Sequence, residues 1–435
     1  MPWTEPFDLS RSLWAATAAP GAAYEALDGD IDADVAIVGL GITGLSTALH
    51  LAERGVRVVA VDAATVGFGA SGRNGGQVIP GLKENPAELR ARWGAERGDR
   101  LVRFVGSAAD SVFDLAARHG IACGARRDGW LQAAHRPAAL PALQRRAEAW
   151  AAEGADVALL DQAATIAATG SDAYIGGFLD RRAGVVQPLD YSRGLARAAA
   201  AAGAALHEET PVLAIRREGN GHRLDTPRGR IRAGAVVLAV NAYADGVATP
   251  LDRSIVPVVS LQVATAPLPP EVARSILPGG QAVSDTRRLL SYFRMGPGNR
   301  FVMGGRGAYR GPALRGRIQA LRRRAVELYP ALRATEWGEA WGGLVAMTPD
   351  HLPHLHRPAP GLVAFTGCNG RGVALATALG RVLAEAALGA PDEALDFPVT
   401  PVRPIPLHAL RRPAVAATVL WYGLRDALDG RVGPR

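Results

Sequence analysis

The sequence predicts an α/β protein: a Rossmann-like dinucleotide-binding domain, discontinuous in the chain, joined to a second α+β domain built on an antiparallel sheet. Three observations predict it. A strand, a glycine turn and a helix stand in that order near the N-terminus, and a second such unit stands near the C-terminus. Between them, a stretch that alternates like antiparallel strands follows a fully apolar run of the kind found in buried parallel strands. The expected pieces are 1–85, 186–248 and 337–400 for nucleotide binding, 86–185 and 249–336 for the second domain, and 401–435 as a basic, apolar extension.

The first unit carries the most information. Val35-Ala36-Ile37-Val38 ends in Gly39-Leu40-Gly41-Ile42-Thr43-Gly44, and Leu45, Ala48, Leu49 and Ala52 then keep the spacing of one helix face. In this pattern the first glycine turns the chain, the second lets backbone approach a pyrophosphate, and the third lets helix and strand pack closely. Free N–H groups and the positive end of the helix dipole hold the phosphates. Val56 to Val61 reads as a second strand that closes on Asp62 and Ala63, where a carboxylate accepts both hydroxyls of an unphosphorylated ribose.

The stretch Gly67-Phe68-Gly69-Ala70-Ser71-Gly72-Arg73-Asn74-Gly75-Gly76-Gln77 is too rich in glycine for a helix or a central strand. An Arg-Asn pair bracketed by glycines and followed by apolar Val78-Ile79 favours a loop that contacts the cofactor over a linker. Ser71 lacks the strand elbow and paired base of a nucleophile.

From Pro86 to about Leu160 the pattern is helical, broken by a strand at Gly129 to Ala134, with a helix from Ala138 to Ala152. Gln187 opens a helix that runs to Ala202. Glu209 to Ile215 reads as a strand, His222 to Arg232 as a hairpin, and Ala235 to Asn241 as a buried parallel strand. Val256 to Ala264, Leu289 to Met295 and Arg300 to Gly305 read as antiparallel strands, and Ala313 to Tyr329 as a helix. After Trp337 to Met347 comes the second unit, Gly361 to Gly367 leading through Cys368-Asn369-Gly370-Arg371-Gly372-Val373 into a helix that ends at Gly389. Val415 to Leu428 has the pattern of an amphipathic helix, and the aromatic lead-in of Trp3, Phe7, Trp14 and Tyr24 is expected to pack on the body.

Composition narrows the function classes. The net charge of +8 comes almost wholly from scattered arginine, with Lys83 the only lysine, so the sequence favours an acidic small molecule over nucleic acid. Two cysteines, Cys123 and Cys368, are too few for a disulfide scaffold or a metal cluster and suit a reducing cytoplasm. No apolar run is long enough to span a bilayer, and no signal peptide is visible. His351 and His354 have Leu-Pro between them and no acid pair beside them, which favours a loop over a metal site. The sequence does not specify an oligomeric state.

Together, the Gly39–Gly44 turn with Asp62, the 67–77 loop and the Gly367–Val373 turn resemble the FAD-dependent amine and amino-acid oxidases of the D-amino-acid, glycine and sarcosine oxidase type. The likeness covers roughly 32–388, and the Ala-Ser-Gly-Arg-Asn-Gly-Gly-Gln, Thr-Pro-Asp and Cys-Asn-Gly-Arg-Gly-Val wording is closest to the branch that oxidises gamma-glutamylputrescine. The resemblance implies a non-covalent FAD with its adenine near Val212, its ribose on Asp62, and its pyrophosphate over Gly41, Ile42, Thr43 and Gly44. Its isoalloxazine would lie beside Gly69, Ala70, Ser71 and the Arg73-Asn74-Gly75-Gly76 loop, with Asn369, Gly370, Arg371, Gly372 and Val373 at the pyrimidine edge.

The implied reaction is hydride transfer from the carbon beside a neutral amine, giving an imine that water hydrolyses to an aldehyde or keto acid. Arg73, Tyr292, Arg306, Trp341 and His354 are the implied catalytic group. Three departures from the family pattern carry expectations. Gly342 to Met347 lacks the cysteine that links flavin in the sarcosine oxidase branch, and Phe301 to Gly304 lacks the lysine that assists oxygen there. Molecular oxygen and an electron carrier both stay open as acceptors, with an oxidase ahead of a dehydrogenase. Ala374 replaces the basic residue that holds an α-carboxylate, so a small amine with a remote acid, of the gamma-glutamyl-polyamine kind, is expected. That choice reverses if Arg306 points into the site. The competing readings are a flavin dehydrogenase feeding a membrane quinone or carrier, a nicotinamide enzyme, and a non-catalytic FAD-binding subunit.

Overall fold

The computed structural model describes residues 8–429 apart from 245, 248 and 310. Trp3 and Phe7 lie outside the described residues, but Trp14 is fully buried and its indole N–H donates to the Asn74 carbonyl at 2.8 Å.

Alternation decides the first sheet. In the strand Ile31–Val38, Asp32 and Asp34 are exposed near its start, but from Val35 on Val35 and Ile37 enter one core while Ala36 and Val38 enter another, so both faces are buried there and the run Val35 to Val38 is apolar throughout. Along the main path the sheet order is His354–Ala359, Leu362–Thr366, Gly229–Leu238, Ile31–Val38, Val58–Val61, Ala205–His207, parallel except for its first strand, and Gly221–Thr226, itself paired with Ala214–Glu218, adds antiparallel pairing onto Gly229–Leu238. On one face the helices Ile42–Ala52 and Gly372–Ala387 pack against each other. The two glycine units therefore stand at the carboxyl ends of two parallel strands, Ile31–Val38 and Leu362–Thr366, that flank Gly229–Leu238, where ligands bind in open α/β sheets.

Two readings of this region are corrected. The hairpin arm and the apolar run are one strand, Gly229–Leu238, which ends before Asn241. Glu209 to Leu213 is not a strand: Glu209 has φ 48°, Pro211 has no N–H to donate, and pairing starts only at Ala214–Glu218. The helices Pro86–Trp93, Ala95–Gly106 and Ala108–Arg118 come from the stretch assigned to the second domain. Leu101, Val105, Val112 and Leu115 nevertheless share a core with Leu49, Leu379 and Val382 of the nucleotide-binding helices.

The second sheet runs Trp337–Met347, Val256–Thr265, Arg300–Arg306, Tyr292–Gly296, Ala282–Asp285, Trp130–Ala133, Gly177–Asp180, Val157–Leu160. Leu289 to Ser291, expected in a strand, precede one, and Ala282–Asp285 is a strand the sequence did not mark. Trp337–Met347, expected in the nucleotide-binding part, instead pairs along Val256–Thr265 as an edge of this sheet. The helix Gly311–Leu328 covers the sheet through Leu321, Ala325 and Leu328.

The C-terminal helix Arg411–Asp429 includes the expected amphipathic segment. Asp426 accepts from the Leu289 N–H at 3.0 Å and pairs with Arg288 at 3.1 Å, fastening the helix to the 286–291 turn. Among the described residues, no helix is long and apolar enough to cross a membrane.

Candidate functional site

A cavity of about 1090 Å³ lies between the two sheets and is lined from both. Its volume is at the upper end for small-molecule sites.

The Gly39–Gly44 turn forms one wall. Gly39 has φ +113°, and a Cβ on it would lie 2.8 Å from the Ala239 carbonyl. A Cβ on Gly44 would lie 1.9 Å from the Gly39 carbonyl oxygen, so only glycine lets the helix start this close to its strand. Gly44 is thus a packing residue and does not line the cavity, whereas Gly39, Gly41, Ile42 and Thr43 do. Ser71 Oγ accepts from the Ile42 N–H at 2.9 Å, which makes Ser71 a brace between the helix start and the 67–77 loop.

Asp62 ends its strand in the cavity wall, with Oδ2 accepting from the Leu40 N–H at 2.8 Å and Oδ1 from the Ala64 N–H at 2.9 Å. Burial pushes its pKa up and outweighs these two N–H groups. A buried carboxylate with lone pairs to spare is suited to hydroxyl donors. Ala63 and Val212 line the wall beside it.

The glycine-rich loop is held by its own asparagine. Asn74 donates to the carbonyls of Ser71 at 2.7 Å and Ala70 at 3.1 Å, and its Oδ1 accepts from the Gly76 N–H at 2.7 Å. Gly69, Ala70, Ser71, Arg73, Asn74 and Gly75 line the cavity, while Gly76 lies behind it, its carbonyl accepting from Arg294 at 3.0 Å. The Arg73 guanidinium stacks 4.4 Å from the Phe68 ring centroid, and burial lowers its pKa.

From the second sheet, Tyr292 lies against this loop: a Cβ on Gly75 would lie 3.1 Å from its ring. Its hydroxyl is 2.7 Å from Ser260 Oγ, and burial pushes its pKa up to about 12. Arg306 sits in register with Ser260 on the neighbouring strand and lines the cavity. Among the described residues no hydrogen bond or ion pair ties its guanidinium, and burial lowers its pKa.

Two expected members stand elsewhere. Trp341 is fully buried outside the lining and donates to the Arg73 carbonyl at 3.1 Å, so it supports the loop from behind. His354 is outside the lining as well, bonded to Asp350 at 3.1 Å and Thr400 at 3.0 Å.

The second glycine turn completes the site, with Asn369, Gly370, Arg371, Gly372 and Val373 in its wall. Asn369 accepts from the Thr348 N–H at 3.0 Å and donates to the Gly367 carbonyl at 2.6 Å, joining the Thr-Pro-Asp turn to this one. Arg371 donates to the Leu82 carbonyl at 2.8 Å and stacks on Trp130 at 5.2 Å, so its charge is spent on bracing.

Sequence reasoning missed Asn241 and Tyr243. Asn241 donates to Cys368 Sγ at 3.3 Å and accepts from the Gly367 N–H at 3.2 Å, and the Tyr243 hydroxyl accepts from the Leu344 N–H at 2.9 Å. The signal was available, since both follow the carboxyl end of a parallel strand.

A glycine-capped helix start, a buried acid with acceptor capacity to spare, and a large cavity at the strand ends fit a dinucleotide cofactor. The profile of the family described as FAD dependent oxidoreductase (DAO) matches residues 34–386. The chain belongs to that family.

Members and neighbours agree along almost the whole chain. A probable oxidoreductase OrdL of Rhizobium meliloti is 33% identical over 98% of this chain and 100% of its own length. The gamma-glutamylputrescine oxidoreductase of Escherichia coli is 31% identical, covering 96% of this chain and 99% of the relative. The crystal structure of glycine oxidase from Geobacillus kaustophilus superposes with a TM-score of 0.69 at 28% identity, covering 85% of this chain and 99% of that one. FAD is therefore the cofactor, and the residues that would hold it are Asp62, the Gly39–Thr43 turn, the 69–75 loop and the 369–373 turn.

Proposed function

We propose that this protein oxidises the C–N bond of an amine that carries a carboxylate, and that Arg306 grips the carboxylate beside Tyr292. The single observation behind this is a guanidinium without an ion-pair partner among the described residues, in the cavity wall next to the Tyr292–Ser260 pair. Bound FAD supplies the acceptor for the two electrons leaving the substrate. The chain's own residues supply orientation and charge. A planar guanidinium binds a carboxylate in two-point fashion and so fixes the direction of the reacting carbon. Arg73 and Arg306 disfavour a neighbouring ammonium, which supports the free amine that the reaction needs.

Arg306 in the cavity wall supports short amino acids of the glycine or sarcosine kind as the first reading, against the expectation from Ala374. The second reading is a gamma-glutamyl-polyamine, with the same arginine on an acid far from the reacting nitrogen. Its support is the likeness to a gamma-glutamylputrescine oxidoreductase.

The test compares kcat/KM for sarcosine, glycine, D-alanine, gamma-glutamylputrescine and putrescine in wild type and Arg306→Met. An acid-bearing amine should exceed putrescine by about tenfold or more, roughly 1.4 kcal/mol of transition-state preference, and the variant should erase the gap. Putrescine leading in the wild type, or a variant that keeps the same order, refutes the grip. Which acid-bearing amine leads chooses between the two readings.

A further inference from the structure

The chain has 49 Lys and Arg residues together, and only one of them is a lysine. That residue, Lys83, lines the cavity. It follows the short Gln77–Val78 strand, on the wall formed by the turn whose Leu82 carbonyl receives Arg371. Lys83 has exposed surface, yet burial is the largest cause of its lowered pKa, because that surface opens onto the cavity. Arg371 and Arg306 are both close enough to lower it further, so Lys83 and Arg306 act on one chamber from different parts of the fold. No hydrogen bond or ion pair of the ammonium occurs among the described residues, although Glu84 and Cys368 moderate its field.

Several arginines around the cavity serve as bracing cations: Arg371, Arg294 and Arg146 each hold backbone carbonyls there. A lysine offers a compact charge on a flexible stem rather than a fixed fork. Such a group suits an acid whose position varies with the ligand, while Arg306 suits one fixed beside the reacting carbon. Two unneutralised cations facing one chamber also raise its potential, which a single carboxylate would leave half compensated.

We propose that Lys83 is a second anion anchor, and that the preferred substrates are amines with two acidic groups, one on Arg306 and the other on Lys83. This rests on the Arg306 grip proposed above and adds a length and a second charge to it. No covalent step is involved. A bound acid stabilises the ammonium and reverses the effect of the neighbouring arginines.

The test uses the FAD-loaded enzyme and unreactive probes, glutarate and butyrate, titrated against the flavin absorbance spectrum. Wild type should bind glutarate more tightly than butyrate. Lys83→Met should weaken glutarate by about tenfold, the worth of one charge-assisted pair, and leave butyrate within about twofold. Lys83→Arg should recover part of the glutarate affinity, and it provides a second variant if Lys83→Met loses flavin. Equal losses for both probes, or no loss for either, overturn the second anchor. Arg306→Met reports separately: if it leaves butyrate binding unchanged, the first grip is wrong whatever Lys83 does.

Discussion

Asp62 shows how far one residue can be read from sequence and where the reading stops. Its place at the end of the second strand was legible because the fingerprint is local, a fixed distance from the glycine turn. Its protein partners, the N–H groups of Leu40 and Ala64, come from backbone geometry and leave no trace in residue identity. Asp62→Ala removes the acceptor for both N–H groups and, with them, the acceptor proposed for the ribose. FAD affinity should fall by about 1.5–3 kcal/mol, the cost of deleting a charge-assisted hydrogen bond and leaving its donors unmet. Flavin fluorescence titration of the apoprotein measures it, and an unchanged dissociation constant rules the ribose interaction out. Trp341 and His354 failed as site residues for a related reason. Residue type and strand position suggested chemistry, but which way a strand side chain points depends on register with strands far away in sequence.

Elements whose signals are short were legible: the two glycine units, the helices that follow them and the apolar runs of buried parallel strands all follow from neighbouring residues. Long-range pairing was not. Ala282–Asp285 runs parallel to Trp130–Ala133, about 150 residues away, and nothing local marks either strand for the other. The helix Ile42–Ala52 carries a pH dependence that the sequence could not show. His50 sits near its end among Arg54, Arg118 and Arg381, and burial first, then those charges, lowers its pKa from 6.5 to about 4. Glu53 lies 3.9 Å away but is shared with Arg118 at 3.2 Å and His119 at 3.3 Å, so it does not rescue the protonated form. The unfolded chain takes up this proton near pH 6.5 and the folded one only near 4, so stability is complete above 6.5 and falls as pH drops between the two. That gap bounds the loss at roughly 3 kcal/mol. Urea unfolding at pH 7 and pH 5 in wild type and His50→Gln should show a loss that the variant lacks; equal loss in both assigns the acid sensitivity to other groups.

At the scale of the whole molecule, the cavity is an interior shared by two sheets rather than a pocket in one. Asp62, Gly41 and Asn369 approach it from the nucleotide-binding sheet and its helices, while Tyr292, Arg306 and Ser260 approach from the other. A cofactor there touches both bodies and binds only when they are docked, so its binding free energy adds to the stability of the folded chain. With FAD at about a thousand times its dissociation constant the gain is roughly 4 kcal/mol. For a chain of 435 residues that corresponds to a melting temperature raised by roughly 4 °C. Removing FAD should therefore lower Tm by about that amount, and adding it back should raise Tm with the logarithm of its concentration. Asp62→Ala should show a shallower rise at the same FAD concentrations, because its dissociation constant is larger while its apo form starts from its own baseline. A Tm that ignores added FAD in the wild type would mean that the cavity is not the cofactor's place. A Tm that responds equally in both proteins would keep the cavity and remove Asp62 from it.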